Sequence, residues 1–207
     1  MCHWKRLKCD VGRSSVVELV PVNLLPDTPL KRVAREELPQ HMQKAWDQSL
    51  ALHGDTTFIE VFGHAPQAYD WYLQEFYSKF FYSGRIERSV VELVRLRLAN
   101  IHGCAFCNRG DTLAAREAGV PQAQIDALAE YETGPFSERE KCALALADVM
   151  ALTNTRGRIT TALHGRLAAQ FTDGELVELG VIMAMLCGMA KMIFAFDLVE
   201  KMPSCPL

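Results

Sequence analysis

The chain has 207 residues, of which 49% are hydrophobic and 23% charged, and its formal net charge is −3. This composition is typical of a globular protein with one domain or at most two, and the lack of any Lys/Arg run excludes a basic nucleic-acid-binding protein. The first twenty residues contain no apolar stretch long enough for a signal peptide, and the longest apolar run, "VIMAMLC" (181–187), is too short to span a bilayer. We therefore expect a cytoplasmic protein that is not embedded in a membrane.

The N-terminal residues 1–40 carry four prolines and little hydrophobic periodicity, which predicts an extended arm that wraps a neighbour or the domain surface. Helical signals dominate from about Pro39 onward, so residues 41–207 are expected to form one all-helical domain. The aromatic-rich segment "PQAYDWYLQEFYSKFFY" (66–82) begins with a proline, which suits the first position of a helix.

Residues 86–102, "IERSVVELVRLRLANIH", are apolar on most sides and predict a buried helix that ends at Gly103. A second helix is expected over about 105–118, because Gly119 is the residue type favoured just past a helix end. Pro121 is expected to start a third. No strand-like alternation is visible, so the fold class is predicted to be an all-α helical bundle.

Two capping boxes mark later helix starts, "SERE" at 137–140 and "TDGE" at 172–175. The second opens a helix that is predicted to run to about residue 200 and is unusually apolar over 181–196. One apolar face packs in the protein's own core. A helix that is apolar on most sides is either fully internal or covered by a second surface, most simply another subunit. Both interpretations remain open at this point.

Seven cysteines occur in the chain, and two of them lie three positions apart in "GCAFC" (103–107). An odd, scattered set without an export signal argues against a structural disulfide framework. Because Gly103 ends one helix, Cys104 and Cys107 fall in the first turn of the next. The free N–H groups and partial positive charge of that turn stabilise a thiolate, which is the reactive form of cysteine.

Two other interpretations of this pair remain open. Cys104 and Cys107 could be small apolar residues at a contact between helices. They could also bind zinc, but zinc needs two further ligands, for which the chain offers only His102, His164 or Asp111 at unsuitable spacing. We expect neither a metal nor a cofactor.

Three charged residues are predicted to meet beside the cysteines. In an antiparallel hairpin about Gly103, residues equidistant from the turn face each other, and Arg95 and Asp111 each lie eight positions from it. Glu92 lies one turn before Arg95, and Asp111 one turn after Cys107. A proton path from Cys107 through Asp111 to Glu92 is sterically reasonable. Alternatively, Arg95 and Asp111 form a plain ion pair, or Glu92 closes a capping box with Ser89.

The run "ELVRLRLANIHGCAFC", followed by three residues and an acid, resembles the core of the alkyl hydroperoxidase D-like group within the carboxymuconolactone decarboxylase superfamily. Redox members of that group carry a glutamate, eleven intervening residues, CxxC, three residues and a histidine. Glu92, Cys104 and Cys107 match in type and spacing, and "GHAPQ" (63–67) resembles a turn common upstream. The family histidine falls on Asp111, and a histidine found between the two cysteines is replaced by Phe106. His102, although more typical of a capping or surface group, is a candidate substitute.

The resemblance implies an all-helical fold whose subunits form trimers or hexamers. It also implies reduction of hydroperoxides, or of a partner peroxiredoxin, through a cycling Cys104–Cys107 disulfide that a dithiol such as a lipoyl protein reopens. From the residues we expect Cys107 to attack and Cys104 to resolve, with Glu92, Asp111 and His102 as the other catalytic residues. The alternatives are a non-redox lyase using Glu92, His102 or His164, and a redox-sensing oligomer without turnover.

Overall fold

A computed structural model describes residues 24–203 of the chain. Helices dominate it, and within these residues the structure contains one isolated β-bridge, between Cys104 and Lys201, outside any strand. The α-helices are α1 (Gln40–His53), α2 (Thr57–Phe62), α3 (Pro66–Asp70), α4 (Arg88–His102), α5 (Ala105–Glu117), α6 (Gln122–Asp126), α7 (Glu138–Met150), α8 (Thr161–Gln170) and α9 (Asp173–Ala195). The predicted all-α class is confirmed.

Helix α3 continues without a break into a π-helical segment, Trp71–Phe81, so the aromatic-rich stretch forms one continuous helix. Pro66 occupies its first turn, as the sequence predicts. Short 3-10 turns lie at Arg35–Glu37 and Leu128–Glu130. Both predicted capping boxes are present, with Ser137 and Thr172 as the capping residues of α7 and α9.

The core consists of three packed groups, and buried side chains of α4 belong to two of them. Val91, Val94 and Leu98 pack with residues of the π-helical segment, α7 and α9. Leu93 and Leu96 pack against the loop after α6, including Leu128. A further group, formed by α1, α2 and the segment after α9, contains Cys104. The helix that carries Glu92 and Arg95 is therefore the central helix of the bundle.

The predicted arm, residues 1–40, is described only from residue 24 onward, and residues 1–23 lie outside the described part of the chain. Residues 24–33 lie against the domain surface. Asp27 N donates to Asp197 Oδ2 at 2.8 Å, and Val33 N donates to the backbone oxygen of Glu60 at 3.2 Å. The described portion thus lies against the chain's own domain, one of the two arrangements expected for the arm.

Helix α9 is shorter than predicted and is not fully internal. It ends at Ala195 because the chain turns at Asp197, which has φ of 52°. One face packs in the core through Leu179, Ile182 and Met183, whereas Val177 is 67% exposed and Val181 42% exposed. The fully internal alternative is therefore wrong for this chain, and a second subunit remains a prediction.

By length and composition alone, α9 is the one helix among residues 24–203 that could cross a membrane, with a third of its most apolar window buried in the protein. The expectation of no membrane span rested on the run 181–187 alone. Within the fold α9 carries a buried carboxylate, Glu178, which pairs with Arg85 and accepts a hydrogen bond from Ser83 at 2.7 Å. Core helices of globular proteins pass the same test.

Candidate active site

The cysteine pair lies where the sequence predicts, at the turn between α4 and α5. Gly103 adopts the left-handed conformation, with φ of 71°, and reverses the chain. Cys104 is then the N-cap residue of α5, and its sulfur accepts a hydrogen bond from Cys107 N at 3.1 Å. The two residues form a disulfide, with their Cα atoms 5.3 Å apart. The N-terminal turn therefore directs an N–H group at the Cys104 sulfur.

The two sulfurs differ in accessibility. Cys104 is 1% exposed and packs with Leu198 and Val199, whereas Cys107 is partly exposed. The segment after α9 covers Cys104, the inner cysteine, and leaves Cys107 as the outer one. Ala105 N and Phe106 N both donate to the backbone oxygen of Glu200 in this segment, at 3.1 and 3.3 Å. An external reactant therefore reaches Cys107 before Cys104.

A cavity of about 470 Å³ opens onto the disulfide. Its walls are mainly apolar and aromatic and come from α1, α2, the π-helical segment, α4, α5 and α9, with both cysteines on one side. Four polar side chains that matter for chemistry also face it: His53, Arg95, His102 and Asp111. A few convergent polar groups in an otherwise apolar cavity of this size are typical of a small-molecule site.

The predicted contact between Arg95 and Asp111 is present, with Arg95 Nε 2.8 Å from Asp111 Oδ1. Arg95 also contacts Glu92, with 3.4 Å between Nη1 and Oε2. The guanidinium therefore lies between the two carboxylates, and both interpretations of these residues hold in part: they form a cluster, and Arg95 and Asp111 form an ion pair.

Glu92 is fully buried behind Arg95, and the hydroxyl of Tyr82 donates to its Oε1 at 2.6 Å. A capping box with Ser89 is wrong, because α4 begins at Arg88 after the N-cap residue Glu87. A proton cannot pass from Asp111 to Glu92 through Arg95, since guanidinium keeps its protons. In this arrangement Glu92 holds Arg95 in place, and the predicted path requires a route around it.

Burial raises the pKa of Asp111 to about 6, and the negative charge of Glu92 adds to the effect while Arg95 opposes it. An aspartate with an ordinary pKa stays ionised near neutrality and cannot return a proton. At a pKa near 6 the carboxyl group accepts a proton and releases it again close to physiological pH. The buried aspartate thus acquires an acid–base range close to that of histidine.

His102 is buried at the end of α4, not at the surface, and its Nε2 accepts a hydrogen bond from Leu152 N at 3.1 Å. Burial lowers the pKa of this imidazole to about 4, so it is neutral near pH 7. Because Nε2 accepts this hydrogen bond, His102 fixes the loop after α7 against the end of α4. Its predicted part in proton transfer stays a prediction.

The sequence analysis missed His53, the last residue of α1, which faces the same cavity. Its ring stacks on Phe106, the residue between the cysteines, with the ring centroids 3.7 Å apart. No local motif marks it, because His53 lies 51 positions before Cys104 in the chain. His164, in contrast, lies on the exposed side of α8. Within the described residues no cluster suited to a metal ion is found.

Comparison with known proteins gives a family match over the centre of the chain. Residues 66–149, which contain the π-helical segment, the cysteine hairpin and most of α7, match the Carboxymuconolactone decarboxylase family. The chain is also 31% identical over 98 residues to the uncharacterized protein YdfG of Bacillus subtilis (strain 168), a match that covers 47% of this chain and 66% of that protein.

Two solved structures share the fold over most of the chain. One is an uncharacterized peroxidase-related protein with the alkylhydroperoxidase AhpD core from Ralstonia eutropha JMP134, with a TM-score of 0.65, 14% identity, and coverage of 85% of this chain and 93% of that one. The other is the debrominase Bmp8 in complex with 2,3,4-tribromopyrrole, with a TM-score of 0.66, 17% identity, and coverage of 87% and 94%. Residues 66–149 therefore match the carboxymuconolactone decarboxylase family, and the helical fold is shared with the alkylhydroperoxidase AhpD core.

Proposed function

We propose that the protein is a thiol-dependent reductase of organic hydroperoxides that cycles through the Cys104–Cys107 disulfide. The observation that carries the proposal is a redox pair on the wall of an apolar cavity, with a buried carboxyl group of raised pKa one helical turn beyond the outer cysteine. A pair that only filled space between helices would need neither the cavity nor the acid.

In the half of the cycle that reduces the peroxide and oxidises the protein, Asp111 takes the proton of the Cys107 thiol. The thiolate attacks one peroxide oxygen, the O–O bond breaks, and Cys107 becomes a sulfenic acid while the proton goes to the departing alkoxide. Cys104 then attacks the Cys107 sulfur. A disulfide forms, and the displaced hydroxide leaves as water with the Cys104 proton.

An external dithiol restores the thiols. Its thiolate attacks the accessible Cys107 sulfur and releases the Cys104 thiolate, which the N–H of Cys107 and the first turn of α5 stabilise. The second thiol of the reductant then attacks the first, which breaks the mixed disulfide, closes the reductant's own disulfide and releases Cys107. The same sulfur, Cys107, thus contacts both external partners, in keeping with its greater exposure.

Peroxide consumption with a dithiol present tests the proposal. With the dithiol present, wild-type protein is expected to turn over an organic hydroperoxide continuously and Cys107→Ser to show no consumption. Without the dithiol, Cys104→Ser is expected to consume one equivalent and to retain a sulfenic acid. Cys142→Ser, which alters a buried free thiol, is the matched control and should behave as wild type.

Three outcomes oppose the proposal. No turnover and no disulfide in the wild type would end it. A lyase activity that survives replacement of both cysteines would support the non-redox alternative. Consumption of a single equivalent, with a change in oligomer size and no further turnover, would identify a redox sensor.

Reductive dehalogenation is a second candidate, favoured by the aromatic walls of the cavity and by the ligand of Bmp8. In that reaction the two thiols supply two electrons, a carbon–bromine bond becomes a carbon–hydrogen bond, and bromide and a proton leave as the disulfide forms. Release of bromide from a bromopyrrole in place of peroxide consumption would favour it.

A further inference from the structure

The ring of His53 lies against the first turns of α5. It stacks on Phe106 with 21° between the ring planes, and its Cε1 lies 3.6 Å from the position that a side chain would take at Gly110. Phe106 and Gly110 are one helical turn apart, next to the row formed by Cys107 and Asp111. The imidazole from α1 therefore lies at van der Waals distance from the helix face at Gly110, beside the outer cysteine, Cys107.

The surroundings of this imidazole contain polar atoms without partners. Within residues 24–203, the buried side-chain atoms that lack a hydrogen bond are His53 Nδ1, Asp55 Oδ2 and Arg109 Nε. Arg109 is tied to the same place, since its Nη2 lies 3.4 Å from the backbone oxygen of His53. Buried polar atoms are almost always paired, and of these three side chains His53 is the one that lines the cavity, so its imidazole is available to a polar group bound there.

His53 remains neutral at physiological pH. Burial lowers its pKa to about 4, and the positive charge of Arg109 acts in the same direction, while Asp55 and Glu200 oppose it. A neutral imidazole carries one N–H donor and one acceptor nitrogen. A histidine in this state serves as a hydrogen-bond donor to an oxygen that becomes negative during reaction.

We propose that His53 is a catalytic residue of the peroxide reaction, whose ring N–H donates to the departing oxygen as the O–O bond breaks. The inference rests on the proposed function. Asp111 takes the Cys107 proton and returns it to the alkoxide, and His53 stabilises the negative charge in between without gaining or losing a proton. Its place over Phe106 gives this chain an imidazole beside the cysteines from a different helix.

The acidity of the departing group provides the test. An alkoxide needs stabilisation much more than a carboxylate does, so His53→Phe should slow reduction of cumene hydroperoxide roughly 100-fold. Reduction of perbenzoic acid should change little. Phenylalanine keeps the stacking on Phe106, and His53→Gln, which restores an N–H donor, should recover part of the lost rate. His164→Gln, on an exposed helix face, is the control.

Equal rates for wild type and His53→Phe with both oxidants would overturn the inference, and so would an equal loss with both, which is the mark of altered packing alone. Neither result touches the proposed function, because the wild type still turns over. Failure of the proposed function is recognised separately, by the lack of dithiol-dependent turnover in the wild type with either oxidant.

Discussion

Asp111 stands where the family has a histidine, and its environment determines whether that exchange preserves proton transfer. The carboxyl group is buried beside one guanidinium and one further carboxylate, and its pKa rises to about 6. Peroxide reduction should therefore lose rate as pH falls through about 6, because the protonated carboxyl group cannot take the proton of Cys107.

In the pH dependence of kcat/KM, the loss of rate below pH 6 should appear as an inflection. Asp111→Asn should remove this inflection and lower the kcat/KM reached at higher pH by about 100-fold. Arg95 keeps Glu92 as a partner in the variant, so the pocket does not acquire an unpaired charge. Stopped-flow rates between pH 5 and 8 check the prediction, with exposed Asp126→Asn as control. An inflection near pH 6 that persists in Asp111→Asn would assign it to another group.

The lowered pKa of His102 predicts that the free energy of unfolding depends on pH. Its pKa is about 4 in the folded protein and near 6.5 in an unfolded chain, so the unfolded state binds the proton first as pH falls. Its contribution to stability is complete above about pH 6.5 and is lost as pH falls towards 4, at up to about 1.4 kcal/mol per pH unit.

His102→Gln keeps an acceptor for Leu152 N but does not titrate in this range. Urea unfolding between pH 4.5 and 7 should therefore show a shallower loss of stability in the variant than in the wild type. Parallel curves for the two proteins would contradict the assignment of a neutral, buried His102.

At the level of single residues, sequence reasoning succeeded where spacing determines proximity. Equal distance from Gly103 placed Arg95 opposite Asp111, and the helical repeat placed Glu92 beside Arg95. It failed for His53, because α1 and α5 meet only through tertiary packing. The burial that raises the pKa of Asp111 could not be predicted from the sequence either, since it depends on helices that are distant in the chain.

The hairpin of α4 and α5 is the element on which the chemistry depends. Its turn requires Gly103 in the left-handed conformation, where a side chain costs about 1–2 kcal/mol. Gly103→Ala should lower the stability measured by urea unfolding by that amount. It should also slow turnover, because the turn sets the position of Cys104 and the first turn of α5.

Gly119→Ala is the matched control for this prediction. Gly119 also has a left-handed backbone, with φ of 84°, and no heavy atom lies where the new side chain would go. A similar loss of stability with unchanged turnover is expected. Equal turnover in both variants would show that the hairpin geometry does not limit the reaction.

Helix boundaries were predictable where capping chemistry is local. Ser137 with Glu140, and Thr172 with Glu175, begin α7 and α9 as expected. The end of α9 was misplaced because its stop depends on the left-handed turn at Asp197, which bonds to Lys201 at 2.5 Å and accepts from Asp27 N. The contact with Asp27 joins segments that are distant in sequence.

At the scale of the whole molecule, the exposed apolar side of α9 supports the prediction of an assembly, which remains to be tested. Val177 and Val181 lie on this side, one turn apart. If a second copy covers them, Val181→Glu should yield a monomer in sedimentation velocity, whereas wild type sediments as a trimer or hexamer.

Ile159→Glu changes another exposed apolar residue, in the segment before α8, and should leave the assembly intact. A wild-type monomer, or a Val181→Glu variant of unchanged mass, would contradict this use of α9. The fold class was predictable from helical periodicity and caps, but the cavity was not, because its walls come from helices spread from α1 to α9.

The central claim is that the outer sulfur, Cys107, is readily deprotonated near neutral pH. Mass mapping of iodoacetamide alkylation in the reduced, folded protein, as a function of pH, measures this for each thiol. We expect Cys107 to react at a lower pH than an ordinary cysteine does, and faster than the covered Cys104. If neither thiol reacts at pH 7, or if Cys107 titrates near 8.5 like an unperturbed thiol, the account is contradicted.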